Sequence, residues 1–124
     1  MREQSLSTIL VVDDASFMRV LIRQILARRG YTDIIEAGNG LIAVELYKKH
    51  KPELSLLDIT MPEMDGITAL AEIIAYDEKA KVIMCSAIAQ DNMVQQALKA
   101  GALDFVIKPF RPEELLRVVS KYLV

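Results

Sequence analysis

Short apolar runs alternate with amphipathic segments along the whole chain. Five of the runs are short and rich in large apolar residues, which is typical of strands buried on both faces of a parallel sheet. These predicted strands are Thr8–Val12, Ile34–Ile35, Leu54–Leu57, Val82–Cys85 and Phe105–Ile107. Between them, apolar residues recur at steps of three and four, which predicts a helix after each strand.

Glycine, proline and acidic residues mark the ends of the predicted helices. The helices are expected at Ser16–Arg29, Leu41–Lys49, after Gly66, from Asp91 to Gly101, and from Pro112 onward. The predicted buried face of the first helix consists of Met18, Leu21, Ile22 and Ile25, with Arg19 and Arg23 on the other side. That of the fourth consists of Val94, Ala97 and Leu98.

Five strands alternating with five helices predict one α/β domain over residues 1–124. The expected architecture is a doubly wound parallel sheet with right-handed crossovers and helices on both faces. No linker, repeat or low-complexity segment interrupts the pattern. Ligands of such sheets bind outside the carboxyl ends of the strands. The residues that follow each strand are therefore the first candidates for function.

Composition narrows the class of protein. The chain has 52% apolar and 26% charged residues, as in a globular domain, and its formal charge of −2 argues against a bulk nucleic-acid surface. A single cysteine, Cys85, excludes an internal disulfide and suits a reducing compartment. The apolar run near the N-terminus is too short for a signal peptide or a membrane span. We therefore expect a cytoplasmic protein.

Polar side chains follow four of the predicted strands and should meet at one edge of the sheet. They are Asp13, Asp14, Asp58, Ser86 and Lys108. Taken alone, each has an ordinary explanation, and Asp58 could simply form a turn. Their common position favours a reactive site over five unrelated surface residues.

Three neighbouring carboxylates repel one another unless a cation offsets their charge. An oxygen-only set of few protein ligands favours Mg²⁺ over Ca²⁺, and no cysteine and histidine set could hold zinc. The turn after the first strand lacks a GxGxxG or P-loop sequence, and two acids there would repel a nucleotide phosphate. The sequence therefore predicts a magnesium site at the strand ends.

Four motifs resemble the receiver domain of two-component response regulators, and within that family its single-domain chemotaxis members. They are Val11–Asp14, Asp58–Gly66, Ser86–Ala87 and Lys108–Phe110. The resemblance spans essentially the whole chain. It implies a flavodoxin-like (βα)5 fold with strand order 2-1-3-4-5.

The resemblance also implies roles for these residues. Asp58 would accept a phosphoryl group from a phosphohistidine of a partner histidine kinase, so the protein would act on itself and not on a separate substrate. Asp14, Asp58 and the Thr60 carbonyl would bind Mg²⁺ directly, and Asp13 would do so through water. Ser86 and Lys108 would contact the phosphoryl oxygens. The donor must be another molecule, because the only histidine, His50, is expected at a solvated helix end far from the site.

The resemblance further implies a switch. Movement of Ser86 toward the phosphoryl group would let Phe105 turn inward, although Phe105 could equally be an ordinary core residue. The output surface would be the fourth helix, the fifth strand and the fifth helix, including Gln90, Met93, Gln95, Arg111 and Lys121. Pro109 is expected to follow a cis bond, and apolar Ile88 is expected to slow loss of the phosphoryl group by hindering water.

The implied partners are the kinase and a downstream protein such as a flagellar motor switch component, with no direct contact to nucleic acid or membrane. We expect a monomer, and dimerisation after phosphorylation stays open. A receiver domain taken from a longer regulator, for example a DNA-binding one, is the main alternative. A phosphatase with an aspartyl nucleophile is disfavoured, because Thr60 stands where that class has a second aspartate and no cap insertion is present. Two acids in the first turn disfavour a flavin carrier.

Overall fold

The computed structural model describes residues 7–61, 63–87 and 91–123, and no side chain is described for Asp91. Strands and helices alternate in the order predicted. The strands are β1 (Thr8–Val12), β2 (Asp33–Ala37), β3 (Leu54–Leu57), β4 (Val82–Ser86) and β5 (Asp104–Ile107). The helices are α1 (Ser16–Ala27), α2 (Gly40–His50), α3 (Gly66–Tyr76), α4 (Asp91–Lys99) and α5 (Pro112–Tyr122).

All five strands form one parallel sheet in the order β2-β1-β3-β4-β5, which confirms the predicted fold class. The strand order reverses between β1 and β3: β2 lies on one side of β1, and β3, β4 and β5 follow on the other side. That position is the switch point at which sheets of this type bind ligands.

Alternate residues of each central strand enter two separate cores, because successive side chains of a strand point to opposite faces. In β1, Ile9 and Val11 pack beneath α1 and α5, and Leu10 and Val12 pack beneath α2, α3 and α4. Burial on both faces explains why the central strands show no regular alternation of polar and apolar residues in the sequence.

Two side chains assigned to buried helix faces are exposed. Leu21 of α1 and Leu98 of α4 each retain 42% of their accessible surface. The buried stripe of α1 is narrower than predicted and runs through Ile22, Ile25 and Leu26. A periodic pattern assigns leucine to the buried face because it is apolar. The rotation of the helix against the sheet decides which residues are covered.

No helix in the described ranges is long and apolar enough to cross a membrane. The bounds differ from prediction by small amounts. Helix α1 ends at Ala27 and not Arg29, β2 is longer than the Ile34–Ile35 pair, and β4 includes Ser86. Helix ends and short strands depend on hydrogen bonds that a local pattern does not contain.

Candidate functional site

Strand register brings the predicted acidic residues together. Val12 of β1 pairs with Leu57 of β3, so Asp13 and Asp58 are the next residues on two adjacent strands. The main chain extends this pairing, because the Asp58 N–H donates to the Val12 carbonyl at 3.0 Å. On the other side, Leu57 pairs with Met84, and Ser86 pairs with Ile107, directly before Lys108. The carboxyl ends of four strands therefore surround one point.

Lys108 is the cation of this cluster. Its Nζ atom donates to Asp13 Oδ2 and lies 3.6 Å from Asp58 Oδ2. Asp13 is buried, with its other oxygen accepting from the Ala15 N–H at 3.0 Å, and Asp14 is exposed. Asp58 is 8% exposed and its Oδ1 accepts from the Ile59 N–H at 2.8 Å. Asp58 Oδ2 therefore faces the ammonium group and the other acids.

Burial and crowding raise the pKa of Asp58 above its ordinary value of 3.8. Burial is the largest cause, and the charges of Asp13 and Asp14 act in the same direction, whereas Lys108 opposes them. The pKa of Lys108 is also raised, because although burial alone would lower it, its hydrogen bond to Asp13 and the nearby Asp58 charge outweigh that effect. Lys108 therefore stays charged and helps Asp58 stay ionised.

The acidic side chains fit a hard divalent cation. Ligand oxygens of Asp13, Asp14 and Asp58 all lie within 4.8 Å of one another, and no second cluster of this kind occurs in the part of the chain that the structure describes. All the donors are oxygen, as Mg²⁺ prefers. The three ionised carboxylates carry three negative charges and Lys108 carries one positive charge, so two negative charges remain. A divalent cation would neutralise them. The arrangement therefore agrees with the magnesium prediction.

The loop between β3 and α3 is fixed to the rest of the site by its main chain. The Gly66 N–H donates to the Ile59 carbonyl at 2.7 Å, and the Gly40 N–H donates to the Met64 carbonyl at 3.2 Å. Asp65 caps α3 by accepting from the Thr68 N–H at 2.8 Å. Met61 and Met64 are partly buried and pack against the core below. These contacts hold the segment that carries Asp58 at both of its ends.

Glu63 in this loop has a φ angle of 70°, in the left-handed region that asparagine tolerates better than glutamate. We expect Glu63→Asn to raise the free energy of unfolding by roughly 0.5 to 1 kcal/mol. Urea denaturation measures the change. Glu78→Asn removes the same charge from an exposed turn residue that is not among those with positive φ, and it should give no gain. Equal effects of the two substitutions would contradict the backbone explanation.

The remaining predicted residues differ in how closely the structure ties them to the site. Ser86 is buried at the end of β4, and its carbonyl accepts from the Lys108 N–H at 2.9 Å. Thr60 lies two residues beyond Asp58 on the exposed start of the loop. Phe105 is partly buried and packs against the core cluster that includes Met84 and Ala97.

Three residues outside the acidic cluster are placed as follows, and the predictions made for Pro109 and His50 are confirmed. The Lys108–Pro109 bond is cis. Cys85 is a buried core residue, and burial raises the pKa of its thiol to about 12. His50 is exposed at the last turn of α2, at the end of that helix away from the strand ends. Ile88 and Gln90, to which sequence reasoning gave roles, lie outside the described residues, as does Pro62 of the Asp58 motif.

Sequence reasoning missed one residue that contacts the site. Arg19 was assigned to the outer side of α1, but its side chain is only 20% exposed. Its guanidinium donates to the main-chain carbonyl of Asp13 at 2.5 Å and to Glu36 Oε1 at 2.9 Å. The helical period predicts the face of α1 on which Arg19 lies. It does not predict where β2 lies, and β2 supplies Glu36.

Comparison with known proteins agrees with this geometry. The sequence model of the response regulator receiver domain matches residues 9–120. The chemotaxis protein CheY of Bacillus subtilis (strain 168) is 54% identical over 115 residues, which cover 93% of this chain and 96% of that protein. CheY of Thermotoga maritima is 50% identical over 113 residues, with 91% and 94% covered.

A solved structure shows that the similarity extends to the three-dimensional fold. One chain of the CheX–CheY–BeF3–Mg²⁺ complex from Borrelia burgdorferi matches this chain with a TM-score of 0.91 at 39% identity. The match covers 95% of this chain and 90% of the other. That complex contains magnesium and a second protein. The chain of the complex that matches has the fold described here.

Proposed function

Because this chain belongs to the response regulator receiver domain family, we propose that Asp58 is the residue that its phosphodonor modifies. The observation that carries the assignment is the position of Asp58 Oδ2. It lies 3.6 Å from the Lys108 ammonium, and Asp58 shares its surroundings with Asp13 and Asp14. The protein is a CheY-like signalling switch, so this chemistry changes its own surface and does not turn over a separate substrate.

In the proposed reaction, an Asp58 carboxylate oxygen attacks the phosphorus of a phosphohistidine on a partner kinase. A P–O bond forms, the P–N bond breaks, and the electron pair of that bond leaves with the imidazole of the kinase. The product is an acyl phosphate on Asp58. Water later attacks the same phosphorus and releases inorganic phosphate, which restores the carboxylate. Both steps depend on charge stabilisation around the transferred oxygens.

The side chains of this protein would supply much of that stabilisation. In this proposal Lys108 donates to one phosphoryl oxygen once its contact with Asp13 is released, and the Ser86 hydroxyl donates to another. Asp13, Asp14, Asp58 and the Thr60 carbonyl would hold Mg²⁺. The bound ion supplies positive charge to the phosphoryl oxygens and reduces repulsion among the carboxylates.

We assign the output to the surface of α4, β5 and α5, including Met93, Gln95, Arg111 and Lys121. Phe105 is the proposed coupling residue, because it lies on β5 and is only partly buried. The Borrelia burgdorferi relative forms a complex with a second protein, which supports output through protein contact. We propose a histidine kinase as donor and a flagellar motor switch component as target, both in the cytoplasm.

A receiver that regulates a second domain would use the same site. The CheY-like function is preferred here because the Bacillus subtilis CheY is 54% identical over 93% of this chain. A phosphatase of small phosphate esters is disfavoured because no cap covers the strand-end site among the described residues. Multiple turnovers of phosphate release from such esters would overturn this choice.

Acetyl phosphate labelling tests the assignment directly. We expect one phosphoryl group to be added per chain in the presence of Mg²⁺, with peptide mass spectrometry locating it at Asp58. Chelation of Mg²⁺ with EDTA should prevent labelling. Labelling at another residue, or none at all, would overturn the assignment.

Removal of Lys108 should separate labelling from switching. In Lys108→Ala, the Asp58 carboxylate remains but loses its opposing cation, so we expect labelling to slow by roughly a hundredfold. The NMR shifts of the α4 surface caused by beryllofluoride should be lost. Lys79→Ala, which removes an exposed ammonium elsewhere, is the matched control and should behave as wild type. Normal α4 shifts in Lys108→Ala would argue against a coupling role for this lysine.

A further inference from the structure

Arg19 joins three structural elements beside the acidic cluster. From α1, its NH1 atom donates to the Asp13 main-chain carbonyl at 2.5 Å, and its Nε donates to Oε1 of Glu36 in β2 at 2.9 Å. The planar guanidinium can satisfy two acceptors at once in a fixed geometry, and the side chain is largely removed from solvent. The contact is therefore specific and directional.

The Asp13 carbonyl belongs to the peptide plane that joins Asp13 to Asp14. On the other side of Asp13, the N–H donates to the Ala37 carbonyl at 3.1 Å. Because a peptide unit is planar, fixing the direction of the carbonyl also fixes the direction in which the chain continues to Asp14. Asp14 is exposed, so neighbouring side chains pack around it less than around Asp13. Its carboxylate depends correspondingly more on the main chain for its position.

Glu36 keeps Arg19 in place. Its second oxygen accepts from Arg23 NH1 at 2.7 Å, and the two arginines hold the carboxylate between them. The hydrogen bond from Arg23 is the largest cause of a lowered pKa for Glu36, with Arg19 contributing in the same direction against the effect of burial. Arg23 is more exposed and binds the Glu36 oxygen that is remote from Arg19. It therefore offers a matched control on the same carboxylate.

We propose that Arg19 is a positioning residue for the metal and phosphoryl site, because it orients the Asp13–Asp14 peptide from outside the cluster. This inference rests on the proposed function, in which Asp13 and Asp14 take part in holding Mg²⁺. Residues that orient metal ligands commonly influence metal affinity strongly without touching the ion. Arg19 has that relation to Asp14.

Isothermal titration calorimetry with Mg²⁺ alone tests the proposal in wild type, Arg19→Met, Arg19→Lys and Arg23→Met. We expect Arg19→Met to raise the Mg²⁺ Kd by about tenfold. Arg23→Met should leave it at the wild-type value, although it removes the other half of the Glu36 interaction. The Mg²⁺ Kd of Arg19→Lys should lie between those of wild type and Arg19→Met, since an ammonium group cannot reproduce the planar geometry with which the guanidinium binds two acceptors. Thermal unfolding of each variant measures the purely structural effect.

Acetyl phosphate labelling gives a second measurement. In Arg19→Met the deficit should be large at low Mg²⁺ and should shrink as Mg²⁺ saturates. Equal weakening of Mg²⁺ binding in the Met variants of Arg19 and Arg23, or a change in thermal stability alone, would overturn the positioning role. If Arg19→Met does not fold, a Mg²⁺ Kd for Arg19→Lys equal to that of Arg23→Met would overturn it. Wild-type protein that binds no Mg²⁺ would instead overturn the proposed function and this inference together.

Discussion

Asp58→Asn should abolish acetyl phosphate labelling while making the metal-free protein more stable. The amide nitrogen and oxygen that replace the carboxylate cannot form the acyl phosphate, so mass spectrometry should find only background phosphorylation. Asparagine has nearly the same size as aspartate, and its removal of one negative charge relieves repulsion from Asp13 and Asp14. Loss of reactivity and gain of stability should therefore appear together.

The direction of the stability effect follows from the raised pKa of Asp58. The unfolded carboxyl ionises near 3.8, and the native state resists ionisation, so native stability falls as the pH rises through the folded pKa. Asparagine does not ionise. We expect the thermal midpoint of Asp58→Asn to exceed that of wild type at pH 7, and the difference to disappear as the pH falls below 3.8.

Magnesium should reverse part of this difference, since a ligand that binds the native state stabilises it and the variant has lost one carboxylate ligand. Asp65→Asn is the matched control, because it makes the same chemical change in the same loop but outside the cluster of Asp13, Asp14 and Asp58. Asparagine can still cap α3. It should be labelled as wild type is. Labelling of Asp58→Asn at the wild-type level would show that another residue accepts the phosphoryl group.

Gly66→Ala should disrupt both stability and labelling. An added Cβ would lie 1.9 Å from the Asp58 carbonyl oxygen and 2.8 Å from the Ile59 Cα atom. Both are main-chain atoms, so the clash cannot be relieved by a rotamer change, and the segment that carries Asp58 must move. We expect the free energy of unfolding to fall by about 3 kcal/mol, at the upper end of the range for overpacking.

Urea denaturation measures the loss for Gly66→Ala, and acetyl phosphate labelling of the folded fraction shows whether Asp58 has shifted. Gly38→Ala is the matched control, because its Cβ would meet only the end of the Arg19 side chain at 3.6 Å, an ordinary contact distance. It should lose little stability. A Gly66→Ala variant with wild-type stability and labelling would mean that the loop is not held as the structure indicates.

The site was largely predictable because its residues follow strands that are easy to recognise. Asp13 and Asp58 come directly after short, mainly apolar runs, and parallel strands place their carboxyl ends at one edge. Their closeness follows from a register in which Val12 faces Leu57. The cis bond before Pro109 and the proposed phosphoacceptor role of Asp58 required a resemblance to a known family, because neither follows from the apolar pattern or the charges of the sequence.

Residue order alone was enough to predict the alternation of five strands and five helices and the set of polar residues at the strand ends. It could do so because those features depend on local periodicity. Three features required the assembled fold: Leu21 is exposed, Gly66 lies against the Asp58 main chain, and Arg19 holds the Asp13 carbonyl. Each of these depends on how elements distant in the chain are rotated and placed against one another, and a local pattern carries no such information.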